Sequence, residues 1–271
     1  MSKPDFIGIG AMKAGTTWLY QCLLEHPAIY MPEKEIGFFS HDKVWNKGFD
    51  WYEKKIESSK KITGEFTVFY LDHPDAPLRI HNQYPETKLI ICLRNPMDRS
   101  FSHYLHGIRY NFIDRSLTFS EAVKQHPYLI KNSCYSLFLQ NYLRYFSSQQ
   151  LLILIYEDSL KDPLHYVQSV YKFLNADSQF VPPSLNTKIH ISYKPRFNLL
   201  EKFLYQPMFS KLRRYWLGKK IGRFINRLLY KINNEKALAL TTNEKNRLKE
   251  YFQPEIQKIE QIINRSLSEW S

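Results

Sequence analysis

Residues 6–26, FIGIGAMKAGTTWLYQCLLEH, pass from an unbroken apolar run through glycines into an amphipathic repeat. FIGIG (6–10) reads as a short buried strand that ends in a glycine turn. Thr16 to His26 reads as a helix in which Trp18, Leu19, Cys22 and Leu23 share one face, with Pro27 as its stop. The rest of the chain repeats this alternation. KITGEFT (61–67), KLIICLR (88–94) and LLILIY (151–156) read as strands, KLIICLR being apolar enough for the centre of a parallel sheet. Helices are expected over 75–85 with Asp75 as cap, from Pro96 to about Tyr110, over 135–146 and 163–174, and from about Asn243 to the end. Strands alternating with helices predict an α/β fold, a single P-loop-like domain over 1–271 whose central, mostly parallel sheet is flanked by helices. Such sheets bind ligands beyond the C-terminal ends of their strands.

The glycine turn after FIGIG lies at such an end. Free N–H groups and the positive end of a helix dipole make a strand–glycine–helix junction an anion site. In GAMKAGTT (10–17), Gly15 permits close backbone approach, Thr16 and Thr17 add hydroxyls, and Lys13 brings a mobile charge. The competing reading is a structural glycine turn with a surface lysine. A nucleotide-triphosphate loop of the G-x-x-x-x-G-K-[ST] type places lysine directly after its second glycine. Here Lys13 precedes Gly15 by two residues, and KLIICLR ends in arginine where a metal-binding aspartate would be wanted; both count against a P-loop kinase. A second anion site is suggested by CLRNPMDRSFSHY (92–104): Arg94 ends its strand, and Ser102 follows roughly two helical turns later. A helix start with a solvated arginine explains that segment equally well.

Composition limits the alternatives. A chain of 271 residues that is 44% hydrophobic and 15% aromatic can bury a large core. Cys22, Cys92 and Cys134 are isolated, with no metal-ligand spacing, so neither a disulfide framework nor a metal site is expected. MSKPDFIGIG enters a strand almost at once and no stretch of about 18 apolar residues occurs, so a soluble cytoplasmic protein is expected. The net charge is +12, and +10 of it falls in residues 194–231, which hold eleven Lys/Arg and one acid, Glu201. Segment 194–232 interleaves those cations with Leu, Phe, Trp and Tyr as a basic amphipathic insertion or helical subregion. It reads as a face resting on an anionic membrane surface, as a groove wall for an acidic polysaccharide, or as packed helices with solvated cations. Nucleic acid is not expected, because no nucleic-acid motif accompanies the charge.

KAGTTWL and LRNPMDRSFSHY together resemble the two signature segments of sulfotransferases that use 3′-phosphoadenosine 5′-phosphosulfate (PAPS) and release 3′-phosphoadenosine 5′-phosphate (PAP). The resemblance continues through KEIGFFS (34–40), KGFDWY (47–52), LLILIYEDSLKDP (151–163) and residues 246–270. Their order is similar to the branch with heparan sulfate N- and 3-O-sulfotransferases and bacterial relatives. The resemblance implies that Lys13 contacts the transferring sulfuryl group, that Ala14, Gly15, Thr16, Thr17 and Trp18 cradle the 5′-phosphate, and that Arg94 and Ser102 hold the 3′-phosphate. It implies a donor-side tyrosine at Tyr135, where a core aromatic is an equal reading, and a late basic loop carrying Lys194 and Arg196. Glu35 falls on the position of the catalytic base, a role that burial against Phe38 and Phe39 would favour by raising its pKa.

Two residues depart from that branch. Gly37 stands where a histidine often follows the glutamate, with His41 as a nearby replacement, and Phe66 stands where a lysine often does. Another cation therefore substitutes, or the acceptor is less anionic. His103 and His106 are expected to be structural. The implied activity is in-line sulfuryl transfer to a hydroxyl or amine of a carbohydrate, glycolipid or other small acceptor, without metal. A noncatalytic PAP- or PAPS-binding protein on the same scaffold is the alternative; the oligomeric state is open.

Overall fold

The computed structural model describes residues 3–187, 194–195, 234–235 and 239–270. Of the basic segment, only the backbone of Lys194–Pro195 is among them; the expectations for the Lys194 side chain, for Arg196 and for the rest up to 232 lie outside the described residues.

The strands are β1 (Phe6–Gly10), β2 (Ile29–Tyr30), β3 (Ile62–Phe66), β4 (Lys88–Leu93) and β5 (Leu151–Ile155). They form one parallel sheet in the order β2-β3-β1-β4-β5. The α/β architecture expected from the alternation is thus present, with β1 at the centre and all five of its residues buried. Sequence order and spatial order differ because parallel neighbours need crossovers, and helices supply them. These are α1 (Thr16–Glu25), α2 (Asp42–Trp45), α3 (Phe49–Ile56), α4 (Ala76–Gln83), α5 (Pro96–Arg109), α6 (Phe119–Gln125), α7 (Tyr128–Lys131), α8 (Tyr135–Leu143), α9 (Tyr156–Lys161), α10 (Pro163–Phe173) and α11 (Thr242–Ile263). The chain divides into two compact units, one of residues 1–100, 130–190 and 246–271, the other of 101–129 and 191–245. The second contains a two-stranded antiparallel pairing, β6 (Lys194–Pro195) with β7 (Asn234–Glu235).

Register between β1 and β3 is locked by size. Phe6 lies opposite Gly64 and Gly8 opposite Phe66, two reciprocal large–small pairs. A Cβ on Gly8 would sit 2.3 Å from the Phe66 ring, and one on Gly64 would sit 2.5 Å from both the ring and the carbonyl oxygen of Phe6. Side chains alternate faces along a strand, so Glu65 points to the opposite face from these pairs.

Two boundary expectations need correction. Asp75 stands at the start of α4 but its side chain caps no helix N–H; the carboxylate lies 3.5 Å from Arg79 instead. The final helix stops at Ile263, not at the end of the chain. Asn264 adopts φ 50°, Glu260 accepts from the Leu267 N–H at 2.6 Å, and Trp270 turns inward to donate to Glu157 at 2.9 Å. The side-chain partners on offer outcompete one more helical turn.

Gly8→Ala overpacks the β1–β3 contact and should cost about 1–3 kcal/mol. Urea denaturation of parent and variant checks this; equal midpoints would show that the Phe66 ring has room to move.

Candidate active site

Four strand ends converge at the C-terminal edge of the sheet in the first unit: Gly10, Phe66, Leu93 and Ile155. The loop after β1 carries Lys13. Lys13 and Gly15 both adopt left-handed backbone, φ 72° and 78°, which turns the chain into α1. No side chain caps α1, and its first turn holds no acid, so its leading N–H groups are left for an anion. Glycine is needed at 15 for space as well as for φ: a Cβ there would sit 2.7 Å from the Tyr156 ring.

Arg94, just past β4, stacks its guanidinium 5.0 Å from the centre of that same ring and donates from Nη1 to the Lys13 carbonyl at 3.3 Å. Its position is fixed further by Tyr135, fully buried, whose hydroxyl donates to the Arg94 carbonyl at 3.0 Å. Tyr135 is therefore a core aromatic that holds Arg94. The Arg94 Nε is buried and meets no hydrogen-bond acceptor among the described residues. A buried cationic donor of this kind calls for an acceptor. Trp18 packs on Tyr166 at 5.9 Å and donates to the Leu185 carbonyl at 3.0 Å; Ala14 is buried. Ser102 lies buried on α5 in the second unit. There, His103 packs on Tyr128 at 5.2 Å and His106 on Tyr110 at 4.5 Å, in keeping with structural roles.

Glu35 lies on the loop after β2, also with left-handed backbone, φ 66°. A non-glycine residue there costs about 1–3 kcal/mol and persists only where its surroundings hold it. Its N–H donates to the Phe66 carbonyl and its Oε2 accepts the Val68 N–H, both at 2.9 Å. Its Oε1 meets the Lys34 ammonium at 2.5 Å, and that ammonium reaches Thr16 Oγ1 at 3.4 Å. Lys34 thus links the carboxylate to the anion loop. Its nitrogen also sits 5.8 Å from the centre of the Phe66 ring, so a cation lies beside residue 66. Phe38 and Phe39 are fully buried in a cluster with Trp45 and Tyr52, whereas the Glu35 side chain is 31% exposed and its carboxylate bonds Lys34 and the Val68 N–H. Gly37 makes room for His41: a Cβ at 37 would sit 2.5 Å from the imidazole Cδ2, so that ring occupies the space of a missing side chain.

One group escaped the sequence reading. Glu65, in the middle of β3, is 1% exposed and accepts from the hydroxyls of Tyr52 at 3.2 Å, Tyr70 at 2.7 Å and Thr67 at 2.6 Å. Burial pushes its carboxyl up to about 7, against the pull of these three donors, and the nearby Glu35 charge adds to the rise. The signal was a lone acid inside an apolar strand, which must find partners to be tolerated. Among the described residues no group of His, Cys, Asp and Glu is arranged to hold a metal, and no helix is long and apolar enough to cross a membrane.

Comparison with known proteins adds to the geometry. Residues 3–269 match the sulfotransferase domain family. Human heparan sulfate glucosamine 3-O-sulfotransferase 5 is 29% identical over 98% of this chain and 73% of its own length. The crystal structure of a sulfotransferase from Alicyclobacillus acidocaldarius superposes with a TM-score of 0.71 at 25% identity, covering 100% of this chain and 99% of that one. Mouse sulfotransferase SULT7A1, solved with PAP, is 15% identical with a TM-score of 0.54, over 94% and 84% of the two chains; it shares the fold.

Because folding raises the Glu65 pKa, the folded state holds that proton more tightly than the unfolded chain. The resulting stability is complete below the ordinary carboxyl pKa and is lost as pH rises through about 7. Glu65→Gln cannot titrate. The unfolding free energy of the parent relative to this variant should therefore fall by roughly 3 kcal/mol between pH 4.5 and pH 8. Urea titrations across that range test it; a pH-independent difference would show that Glu65 keeps an ordinary pKa.

Proposed function

We propose that this chain, which belongs to the sulfotransferase family, transfers a sulfuryl group from PAPS to a hydroxyl or amine of a carbohydrate acceptor, with Glu35 as base. The observation that carries this is the join between the two halves of the site. A single ammonium, Lys34, lies within 2.5 Å of Glu35 and 3.4 Å of Thr16, so the carboxylate and the anion loop act on one space. The similarity to a heparan sulfate glucosamine 3-O-sulfotransferase supports a carbohydrate acceptor.

The residues present fit the donor. Gly15 lets the loop pack against the Tyr156 ring in left-handed backbone, the N-cap of α1 makes no side-chain bond, and the buried Arg94 Nε has no acceptor among the described residues. These groups, with Lys13, Thr16 and Thr17, would hold its phosphates. When bound, PAPS supplies an activated sulfuryl group on a phosphate leaving group. The physical demand resembles that of phosphoryl transfer: alignment of the attacking atom, and positive charge where negative charge develops. Lys13 places that charge beside the anion loop. Glu35 takes the proton of the attacking hydroxyl or amine; the Val68 N–H holds Oε2, and Lys34 holds Oε1 close to Thr16. His41, packed over Gly37 on the same loop, offers a second polar contact to the acceptor.

PAP should raise the melting temperature of the protein and ATP should not. With labelled PAPS and a panel of sugars, transfer should fall about 100-fold or more in Lys13→Ala and in Glu35→Gln, while Glu35→Gln keeps the PAP-induced shift. PAP binding without transfer to any acceptor would leave a donor-binding protein on this scaffold. Full activity of Glu35→Gln would remove it as the base.

A further inference from the structure

We infer that Glu65 is a positioning residue for the reaction: acting through Thr67, it holds the loop that presents Glu35. This role rests on the assignment of Glu35 as base.

Glu65 is too deep to meet substrate, being 1% exposed, yet its hydrogen bonds lead directly to the site. Its Oε1 accepts from the hydroxyls of Tyr52 and Tyr70. Its Oε2 is left for Thr67, whose hydroxyl donates to it at 2.6 Å. A hydroxyl has one proton and two lone pairs. With the proton committed to Glu65, Thr67 turns a lone pair to the Gly37 N–H, 3.2 Å away. With Glu65 ionised, donation therefore runs from Gly37 to Thr67 to Glu65. If Glu65 carries a proton instead and donates it to Thr67, the Thr67 oxygen still accepts from Gly37, so the tether survives titration of the carboxyl.

Gly37 is two residues from Glu35, and three consecutive residues after Glu65 each hold that loop by one bond. The Phe66 carbonyl takes the Glu35 N–H, the Thr67 hydroxyl takes the Gly37 N–H, and the Val68 N–H reaches the Glu35 carboxylate. Two of these bonds use backbone and follow from the path of the chain. The third uses a side chain whose hydroxyl is bonded to Glu65 and also meets Tyr70, itself a donor to Glu65. Glu35 holds left-handed backbone, a conformation that in a non-glycine residue needs external bonds to persist, and Gly37 takes the same conformation two residues on. Removing the carboxylate strands the hydroxyls of Tyr52, Tyr70 and Thr67 whatever its role, so turnover and loop exchange, not stability, separate positioning from structure.

Thr67→Val removes the tether and keeps the shape; Thr67→Ser keeps the hydroxyl. Glu65→Met keeps volume without hydrogen bonding; Glu65→Gln can still bond Thr67. The expected result is a fall in kcat of about tenfold to 100-fold in Thr67→Val and Glu65→Met, with KM for PAPS and the PAP-induced thermal shift unchanged. Thr67→Ser and Glu65→Gln should stay within about threefold of the parent, and the Glu65→Met, Thr67→Val double variant should be no slower than the worse single. Backbone amide exchange over residues 34–38 should quicken in Thr67→Val and not in Thr67→Ser. Thr67→Val with parental kcat and parental exchange would overturn the role, as would a Thr67→Ser variant as slow as Thr67→Val. A PAP shift lost in step with kcat would overturn it too. Should Glu65→Met not fold, the Thr67 pair decides alone. An active parent with an active Glu35→Gln would sink the base assignment instead. The exchange measurement needs no acceptor and reports on the tether in either case.

Discussion

The site hangs on the reciprocal fit of β1 and β3. Phe6 faces Gly64 and Phe66 faces Gly8, and there is no room for a methyl group at either glycine. That fit sets the register of the two strands, and a slip of one residue would exchange their faces. Register in turn decides which face each residue of β3 presents. Phe66 is committed to the Gly8 side, so Glu65 is committed to the side of Tyr52 and Tyr70. Residues 66–68 then emerge at the strand end in the place where they can hold Glu35 and Gly37.

The same edge shows how a polar site is made from groups that are costly one by one. Glu65 is buried, Arg94 keeps a buried donor with no acceptor among the described residues, and Lys13 and Glu35 hold left-handed backbone. Structures keep such features where surrounding contacts pay for them, and functional sites are where they gather. Here the surroundings are the sheet ends, the Tyr156 ring between Gly15 and Arg94, and the hydroxyls of Tyr52, Tyr70 and Thr67.

Lys34 supplies the positive charge nearest the Glu35 carboxylate. With phenylalanine at 66, the cation near the carboxylate comes from the neighbour of Glu35 and lies over the Phe66 ring. Gly37 and His41 repeat this on the other side of the loop, where an absent side chain leaves space that the histidine ring takes. In both cases a polar side chain lies beside the position in question, and the backbone of the loop is tied to residues 66–68.

Much of this was legible in the residues. The apolar runs of β1, β3, β4 and β5 and the alternation with helices gave the parallel sheet, because periodicity and burial are local properties of a sequence. GAMKAGTT pointed to an anion site, because glycine, lysine and threonine meet there at a strand–helix junction, with a structural glycine turn as the competing reading. Contacts between segments distant in sequence were not legible. The link from Lys34 to Thr16, the Tyr156 ring shared by Gly15 and Arg94, and the chain from Gly37 through Thr67 to Glu65 join separate turns of the fold. Glu65 stood in plain view inside an apolar strand, but only strand register and the approach of Tyr52 and Tyr70 could show that it is satisfied and where its hydrogen bonds lead. Sequence by itself determined the elements and the chemical types at their ends, since both depend on near neighbours. Tertiary structure alone decided which of those groups meet, since a hydrogen bond across the fold depends on packing that brings remote residues within about 3 Å.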